Sequence, residues 1–272
     1  MGRKGSASVT GTTKQARGNT GAEKKTREKK PKMSPQEIEE KYGVQGSPLK
    51  YKINFEPKNR KQADLVELIR EKDVIFTSGP SGSGKSYCAM ACALQLLRES
   101  DNGFKKITLI VPTSQAGDSI GWLKGSLSDK LAPFADASLY TAQKIIDKSG
   151  GDGQKVLELL QENLQFEIKS SNFLRGQTLD NQLIIIEEAQ NLSSTEIKTI
   201  LTRISESAKM IFTGDIEQCD NQLLMKKGIK NGLEYALDRL SGMEEIGVIS
   251  FDRSEIIRHP LISKILDKWD GE

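Results

Sequence analysis

The sequence predicts an α/β fold in which a parallel sheet is covered by helices on both faces. From residue 57 onward, five-residue apolar runs alternate with segments of helical periodicity. Apolar runs of this kind are typical of strands that are buried on both faces of a sheet. The first run, residues 74–78, stops at glycine and passes through a short glycine-rich segment into a helix. This strand–loop–helix order supports the same prediction.

The charge of the chain is divided unevenly. The 272 residues have a net charge of +3, but residues 1–32 hold ten bases and two acids, so the remainder is mildly acidic at −5. Residues 1–32 have almost no large apolar side chains, and we expect a disordered basic arm. Residues 33–53 are expected to form a short helix and a linker, and residues 54–272 a single domain.

Composition excludes several classes of protein. No run reaches the 18 or so apolar residues of a spanning helix, and no apolar segment follows the basic N-terminus, so neither a membrane segment nor a secretory signal is expected. Three cysteines are too few for a disulfide framework and lack zinc-site spacing. The single His259 rules out a zinc site with two histidines. We expect a cytoplasmic protein.

The helices and strands can be assigned in order. Ser34 as N-cap, Pro35 at the first position and Glu37 in a capping box predict a helix over residues 34–42. No element is assigned to the mixed Gly, Pro and Ser region between residues 111 and 153. The other predicted helices are 58–71, 85–98, 153–164, 194–206, 229–240 and 260–269, and the predicted strands are 74–78, 107–111, 183–187, 210–214 and 246–250.

The strongest motif is the phosphate-loop pattern GxxxxGK[ST] at residues 79–86. Glycines let backbone N–H groups surround a phosphate, and the N-terminus of the next helix attracts the same anion. Lys85 is expected to contact the β- and γ-phosphates, and the Ser86 hydroxyl to bind Mg²⁺. An ordinary glycine turn is the alternative. The predicted phosphate-binding residues are Gly79, Pro80, Ser81, Gly82, Ser83, Gly84, Lys85 and Ser86.

Polar side chains follow two later strands. Glu187 and Glu188 end the strand 183–187, and a phosphate loop needs an acid for Mg²⁺ and a group that positions the attacking water. We expect Glu187 to hold Mg²⁺ and Glu188 to polarise the nucleophile; solvated acids at a strand end are the alternative. Gln218, after the strand 210–214, is expected to sense the γ-phosphate, although a plain surface turn is also consistent with the sequence.

Together, the motifs resemble the PhoH family of ATPases, the phosphate-starvation-inducible type of bacteria and their phages. The resemblance covers about residues 54–269 and also extends to the RecA-like core of superfamily 1 helicases. It implies a P-loop NTPase with a single RecA-like core that uses ATP and Mg²⁺. If a phage encodes the protein, the expected location is the host cytoplasm. The motifs that carry it include GPSGSGKS (79–86), FLRGQTL (173–179), EEAQN (187–191), GDIEQCD (214–220) and IIRHPL (256–261).

The resemblance also implies roles for single residues. It makes Lys85 and Ser86 the phosphate and Mg²⁺ ligands, Glu187 and Glu188 the Walker B acids, and Gln218 the sensor. Gln62 matches the helicase glutamine that recognises adenine, and Arg258 matches an arginine finger. Glu187 stands where the family usually has Asp, which lengthens the side chain by one methylene.

Two functions are consistent with these features. The first is an ATPase coupled to single-stranded nucleic acid, as in an RNA helicase. We expect this nucleic acid to be RNA rather than DNA. The second is a nucleotide-gated switch or protein-remodelling ATPase without a nucleic-acid partner. A basic arm favours the first function, but it has no aromatic residues to stack on bases. Because one core supplies one wall of the nucleotide site, we expect a homo-oligomeric ring, a hexamer, in which Arg258 acts on the neighbouring subunit.

Overall fold

A computed structural model describes residues 34–42, 50–112, 127–174, 176–257 and Lys268. The basic arm, Arg258, His259 and the predicted helix 260–269, apart from Lys268, lie outside the described residues. No helix among the described residues is long and apolar enough to cross a membrane.

The described part of the chain has six strands and eight α-helices, and one or two α-helices separate most successive strands. The strands are β1 (Val74–Ser78), β2 (Lys106–Val111), β3 (Phe166–Ser170), β4 (Gln182–Ile186), β5 (Lys209–Gly214) and β6 (Ile246–Ser250). The helices are α1 (Pro35–Tyr42), α2 (Arg60–Glu71), α3 (Lys85–Arg98), α4 (Leu127–Lys148), α5 (Gly153–Glu162), α6 (Ser194–Leu201), α7 (Gln222–Lys227) and α8 (Gly232–Leu240).

The six strands form one sheet in the order β3-β2-β4-β5-β1-β6, and every pair is parallel. Phe76 of β1 stacks on Phe212 of β5 with ring centroids 4.6 Å apart. These two rings belong to a buried cluster that includes residues of α6 and α8, whereas α3 contacts β2, β4 and β5 and lies outside that cluster. Helices therefore cover both faces, and the predicted α/β fold with a parallel sheet is confirmed.

Three elements differ from the sequence prediction, including the short helix α7, which was not predicted. α4 occupies a region to which no element was assigned, and β3 adds an edge strand that was not predicted. α4 contains Pro133, and proline costs about 3 kcal/mol in a helix interior. The helix forms because buried side chains on one face offset this cost. They are Leu131, Ala135, Ala142, Ile145 and Ile146.

Smaller differences concern the ends of helices. The capping box of Ser193 and Glu196 starts α6 as predicted, but the helix ends at Leu201 and not near residue 206. α8 begins at Gly232, capped by Asn231, and not near residue 229. The carboxyl ends of β1, β5 and β4, which are neighbours in the sheet, carry the phosphate-loop motif, the GDIEQ segment and the paired acids. The strand order thus brings the predicted site residues together at the carboxyl ends of these strands.

Candidate nucleotide site

The glycine-rich loop joins β1 to α3 and has little room for side chains. Gly79 has a φ of +135°, and a Cβ there would lie 2.4 Å from the carbonyl oxygen of Phe251. Gly84 has a φ of +91°, and its Cβ would lie 2.2 Å from Nε2 of Gln62. Only glycine fits these positions without strain. Phe251, which follows β6, and Gln62 of α2 therefore both hold the loop in shape.

Lys85, at the start of α3, places its ammonium group inside the loop. Its Nζ donates hydrogen bonds to the carbonyl oxygens of Gly79 at 2.6 Å and Pro80 at 2.9 Å, and contacts Ser83 Oγ at 3.3 Å. The side chain is buried, with 7% exposure. A positive charge is therefore fixed where the loop and the helix N-terminus would bind phosphate.

Ser86 and Glu187 form the second part of the site. The Ser86 hydroxyl donates to Glu187 Oε2 at 2.6 Å, and the Thr213 hydroxyl donates to the same oxygen at 2.8 Å. The other oxygen, Oε1, is buried and has no hydrogen-bond partner among the described residues. Burial raises the pKa of the Glu187 carboxyl above its usual value. The hydrogen bonds from the two hydroxyl groups act in the opposite direction and only partly offset this effect.

This arrangement fits a magnesium ion. Mg²⁺ prefers oxygen ligands and is usually bound by one or two protein oxygens, with phosphates and water completing the shell. Ser86 supplies a hydroxyl, and Glu187 supplies a carboxylate whose buried Oε1 has no partner in the described part of the chain. The extra methylene of Glu187, compared with the usual Asp, still allows direct contact with Ser86.

Glu188 turns away from the strand and reaches the surface. Its backbone is in the left-handed region, with φ of +51° and ψ of +40°, a conformation that costs free energy in a residue other than glycine and often marks a functional site. The side chain is exposed, and its Oε2 accepts a hydrogen bond of 2.6 Å from Gln190 Nε2. The hydrogen bond thereby holds the Glu188 carboxylate beside the loop, at the end of β4.

Gln190 has a role that was not predicted from the sequence. Its buried side chain donates to Glu188 and to the backbone oxygen of Gln218, at 3.1 Å, and accepts from the backbone N–H of Asp215 at 3.1 Å. One side chain therefore connects the acid after β4 to the predicted sensor segment after β5. A glutamine two residues after an acid pair was the available signal.

The structure brings together most of the predicted site residues. One cavity of about 660 Å³ is lined by Ser81, Gly82, Gly84, Lys85, Ser86, Glu187, Glu188 and Gln218. Gly79, Pro80 and Ser83 do not line it and act through their backbone or hydroxyl oxygens. Arg258 lies outside the described residues, but Ile257, the residue before it, lines the cavity and donates its N–H to Gly82 O at 3.0 Å.

Gln62 is placed behind the loop. Its Nε2 donates to the Ser83 carbonyl oxygen at 2.8 Å, and its Oε1 accepts from the Lys58 N–H at 2.9 Å. The side chain has 3% exposure and does not line the cavity. In this arrangement Gln62 supports the loop, and its recognition of adenine stays a prediction.

Part of the cavity lining comes from α4, a helix that was not predicted. Tyr140, Lys144 and Lys148 of α4 line the cavity, together with Tyr87 of α3. Lys144 Nζ lies 4.4 Å from the centroid of the Tyr140 ring, and Lys148 Nζ lies 5.2 Å from that of Tyr87. The four-residue spacing of residues 140, 144 and 148 was the signal in the sequence.

Two solved structures align with most of this chain at low sequence identity. The large terminase of a thermophilic bacteriophage, solved in complex with ADP, aligns over 78% of this chain and 50% of its own, at 13% identity and a TM-score of 0.43. The Pif1 helicase of Candida albicans aligns over 80% of this chain and 45% of its own, at 11% identity and a TM-score of 0.38.

Relatives by sequence are closer. A PhoH-like protein of Bacillus subtilis is 37% identical over 211 residues, which are 78% of this chain and 62% of that protein. Protein PhoH of Escherichia coli K12 is 30% identical over 212 residues, or 78% of this chain and 57% of its own. The chain thus spans about six-tenths of the length of these relatives. Residues 54–270 match the family described as PhoH-like protein, and the chain belongs to this family.

Proposed function

We propose that the chain binds ATP with Mg²⁺ and hydrolyses it. The observation that carries this proposal is the hydrogen-bonded set of Ser86, Glu187 and Thr213, with the buried Glu187 Oε1, in the same cavity as Lys85 and Glu188. Phosphate ligands, a magnesium-binding acid and a second acid are the groups that hydrolysis of a phosphoanhydride bond requires. The expected cytoplasmic location stays a prediction.

Each residue has a distinct role in this reaction. The loop N–H groups and Lys85 bind and orient the β- and γ-phosphates. Ser86 and Glu187 would hold Mg²⁺, which would neutralise charge on those phosphates. Glu188 accepts a hydrogen bond from the attacking water and orients it. Gln218, tied through its backbone to Gln190, responds to the γ-phosphate.

Substitution of Lys85 tests nucleotide binding. Lys85→Ala should weaken ATP binding by at least about tenfold because a charge-assisted contact to phosphate is lost. Lys198→Ala, at an exposed position of α6, is the matched control and should bind ATP like the wild type. Equal ATP affinity of Lys85→Ala and the wild type would contradict the proposed site.

We further propose that hydrolysis is coupled to single-stranded nucleic acid, RNA in the first instance. The +8 charge of residues 1–32 supports this proposal, since lysine and arginine clusters bind phosphate backbones with release of counterions. RNA should stimulate ATP hydrolysis, less strongly as the salt concentration rises, and deletion of residues 1–32 should abolish the effect. A nucleotide-gated switch without a nucleic-acid partner predicts no stimulation by RNA or DNA at any salt concentration.

We propose a homo-oligomeric ring, a hexamer, for the assembled protein. The phosphate loop and α4 of one chain line the nucleotide cavity, and a neighbouring subunit would complete the site with Arg258. Subunits with Arg258→Ala and subunits with Lys85→Ala should each be inactive alone and should recover part of the ATPase activity when mixed. The absence of recovery at every mixing ratio contradicts a role of Arg258 on the neighbouring subunit.

A further inference from the structure

The α4 wall is defined here as Tyr140, Lys144 and Lys148 of α4 together with Tyr87 of α3. It differs in chemistry from the rest of the cavity. The residues on the loop side are glycines, hydroxyl groups, acids and Lys85, which suit phosphates and a metal ion. The α4 wall offers two aromatic rings, each with an ammonium group beside its face. Tyr140 has 56% of its surface exposed, so this ring is accessible to a ligand in the cavity.

The remaining surface of the cavity leaves few places for an aromatic base. Among the described residues that line it, the aromatic side chains are Tyr87, Phe134 and Tyr140, and all belong to α3 or α4. α2 contributes no lining residue, and the amide group of Gln62 is already bonded to Ser83 and Lys58. The volume of about 660 Å³ is that of a site for one small ligand.

We infer that the nucleoside part of the bound nucleotide packs against the α4 wall, with its base against the tyrosine rings. This inference rests on the proposed nucleotide-binding function and assigns the base to residues other than Gln62. The ammonium groups of Lys144 and Lys148 stabilise the rings through cation–π contact, so the wall is formed before the ligand arrives. Because every base has a π-face, stacking discriminates little between bases.

Calorimetric titration of the full chain in Mg²⁺ tests this inference, with ADP, GDP and inorganic pyrophosphate as ligands. Tyr140→Ala and Tyr87→Leu should each weaken ADP binding by about tenfold, the scale of one lost base–aromatic stack. Pyrophosphate has no base, so its affinity should be unchanged in both variants. Wild-type protein should bind ADP and GDP with affinities within about fivefold of each other.

Tyr235→Ala is the matched control. Tyr235 is an exposed tyrosine on α8 with Arg239 5.6 Å from its ring centroid, and it does not line the cavity. This variant should bind all three ligands like the wild type, and a loss of ADP affinity there would mean that the effect of Tyr140→Ala is not local.

Three other results overturn the inference. They are an unchanged ADP affinity in both wall variants, an equal loss of pyrophosphate and ADP affinity, and a strong preference of the wild type for ADP that Gln62→Ala removes. Wild-type protein that binds neither ADP nor pyrophosphate would instead contradict the proposed function itself, and the inference would fall with it.

Discussion

Replacement of Gln190 by methionine keeps the length of this side chain and removes its polar atoms. Three hydrogen bonds are lost, to the Glu188 carboxylate at 2.6 Å, to the Gln218 carbonyl oxygen at 3.1 Å and from the Asp215 N–H at 3.1 Å. We expect two consequences. The domain loses stability, and the acid after β4 is no longer held in register with the segment after β5.

The loss of stability can be worked out from burial. The Asp215 N–H is bonded in the buried interior, and a buried donor without a partner costs about 1–3 kcal/mol. Glu188 and Gln218 are both exposed, so water can replace those partners, at a cost of about 0.5 kcal/mol each. The free energy of unfolding should fall by about 2–4 kcal/mol, which lowers Tm by about 4–15 °C in a domain of this size.

The loss of activity should appear in kcat. Displacement of a positioned group by about 1 Å can cost roughly 100-fold in rate, and we expect a decrease of about 10- to 100-fold in kcat for ATP hydrolysis. KM for ATP should change by less than about twofold because Lys85 and Ser86 bond to the loop and to Glu187 rather than to Gln190.

Gln182→Met is the matched control for this measurement. Gln182 is also a buried glutamine, but it lies at the start of β4, far along the strand from Glu188, and accepts a hydrogen bond from Thr108 at 2.6 Å. Gln182→Met should lower the free energy of unfolding and leave kcat for ATP hydrolysis unchanged. If both variants lose the same kcat, or if Gln190→Met retains the wild-type kcat, the positioning role of Gln190 is refuted.

Three further predictions concern the metal site, the thiols and the sheet edge. Glu187→Gln removes a ligand charge, so the Mg²⁺ concentration needed for half-maximal ATP binding should rise by at least about tenfold, as measured by titration with Mg²⁺. Burial raises the pKa of the Cys88 and Cys92 thiols to about 12, so at pH 8 a thiol reagent should label the partly exposed Cys219 first and reach the other two only in denaturant. Glu167 is partly buried, which opposes ionisation, but hydrogen bonds from two lysines outweigh this and lower the pKa of its carboxyl below 4.5. The wild type should therefore be more stable than Glu167→Gln above about pH 4.5. This difference in the free energy of unfolding should disappear as the pH falls further.

The strands that were predicted correctly contain apolar side chains whose grouping can be read from the local sequence. β1, β4 and β5 each contain a run of at least three apolar residues, and every residue of these strands is buried. β3 is an edge strand with the sequence FEIKS, and its middle residues are only partly buried, so charged side chains hide the pattern. α4 was missed because Pro133 argues against a helix, while the packing that overrides it comes from side chains spread over the whole helix.

The same distinction holds for the site. The phosphate-loop motif consists of residues next to one another in the chain, and its glycines, Lys85 and Ser86 were predicted as phosphate and metal ligands from spacing alone. The hydrogen bonds of Gln190 to the segment after β5 span 25 to 28 positions, so sequence spacing does not reveal them. Gln62 was predicted to read adenine from the helix before β1, and that role is untested; its bonds to Ser83 and Lys58 depend on how α2 packs against the loop.

The most direct test of the proposed ATPase site is a single-turnover measurement of ATP hydrolysis with Mg²⁺, for the wild type and Glu188→Gln. Wild-type protein should release phosphate only when Mg²⁺ is present. Glu188→Gln should bind ATP with the same affinity and hydrolyse it at least about 100-fold more slowly, because the group that orients the attacking water has lost its charge. Equal hydrolysis rates for the two proteins, or hydrolysis without Mg²⁺, would contradict the proposed roles of Glu188 and of the metal.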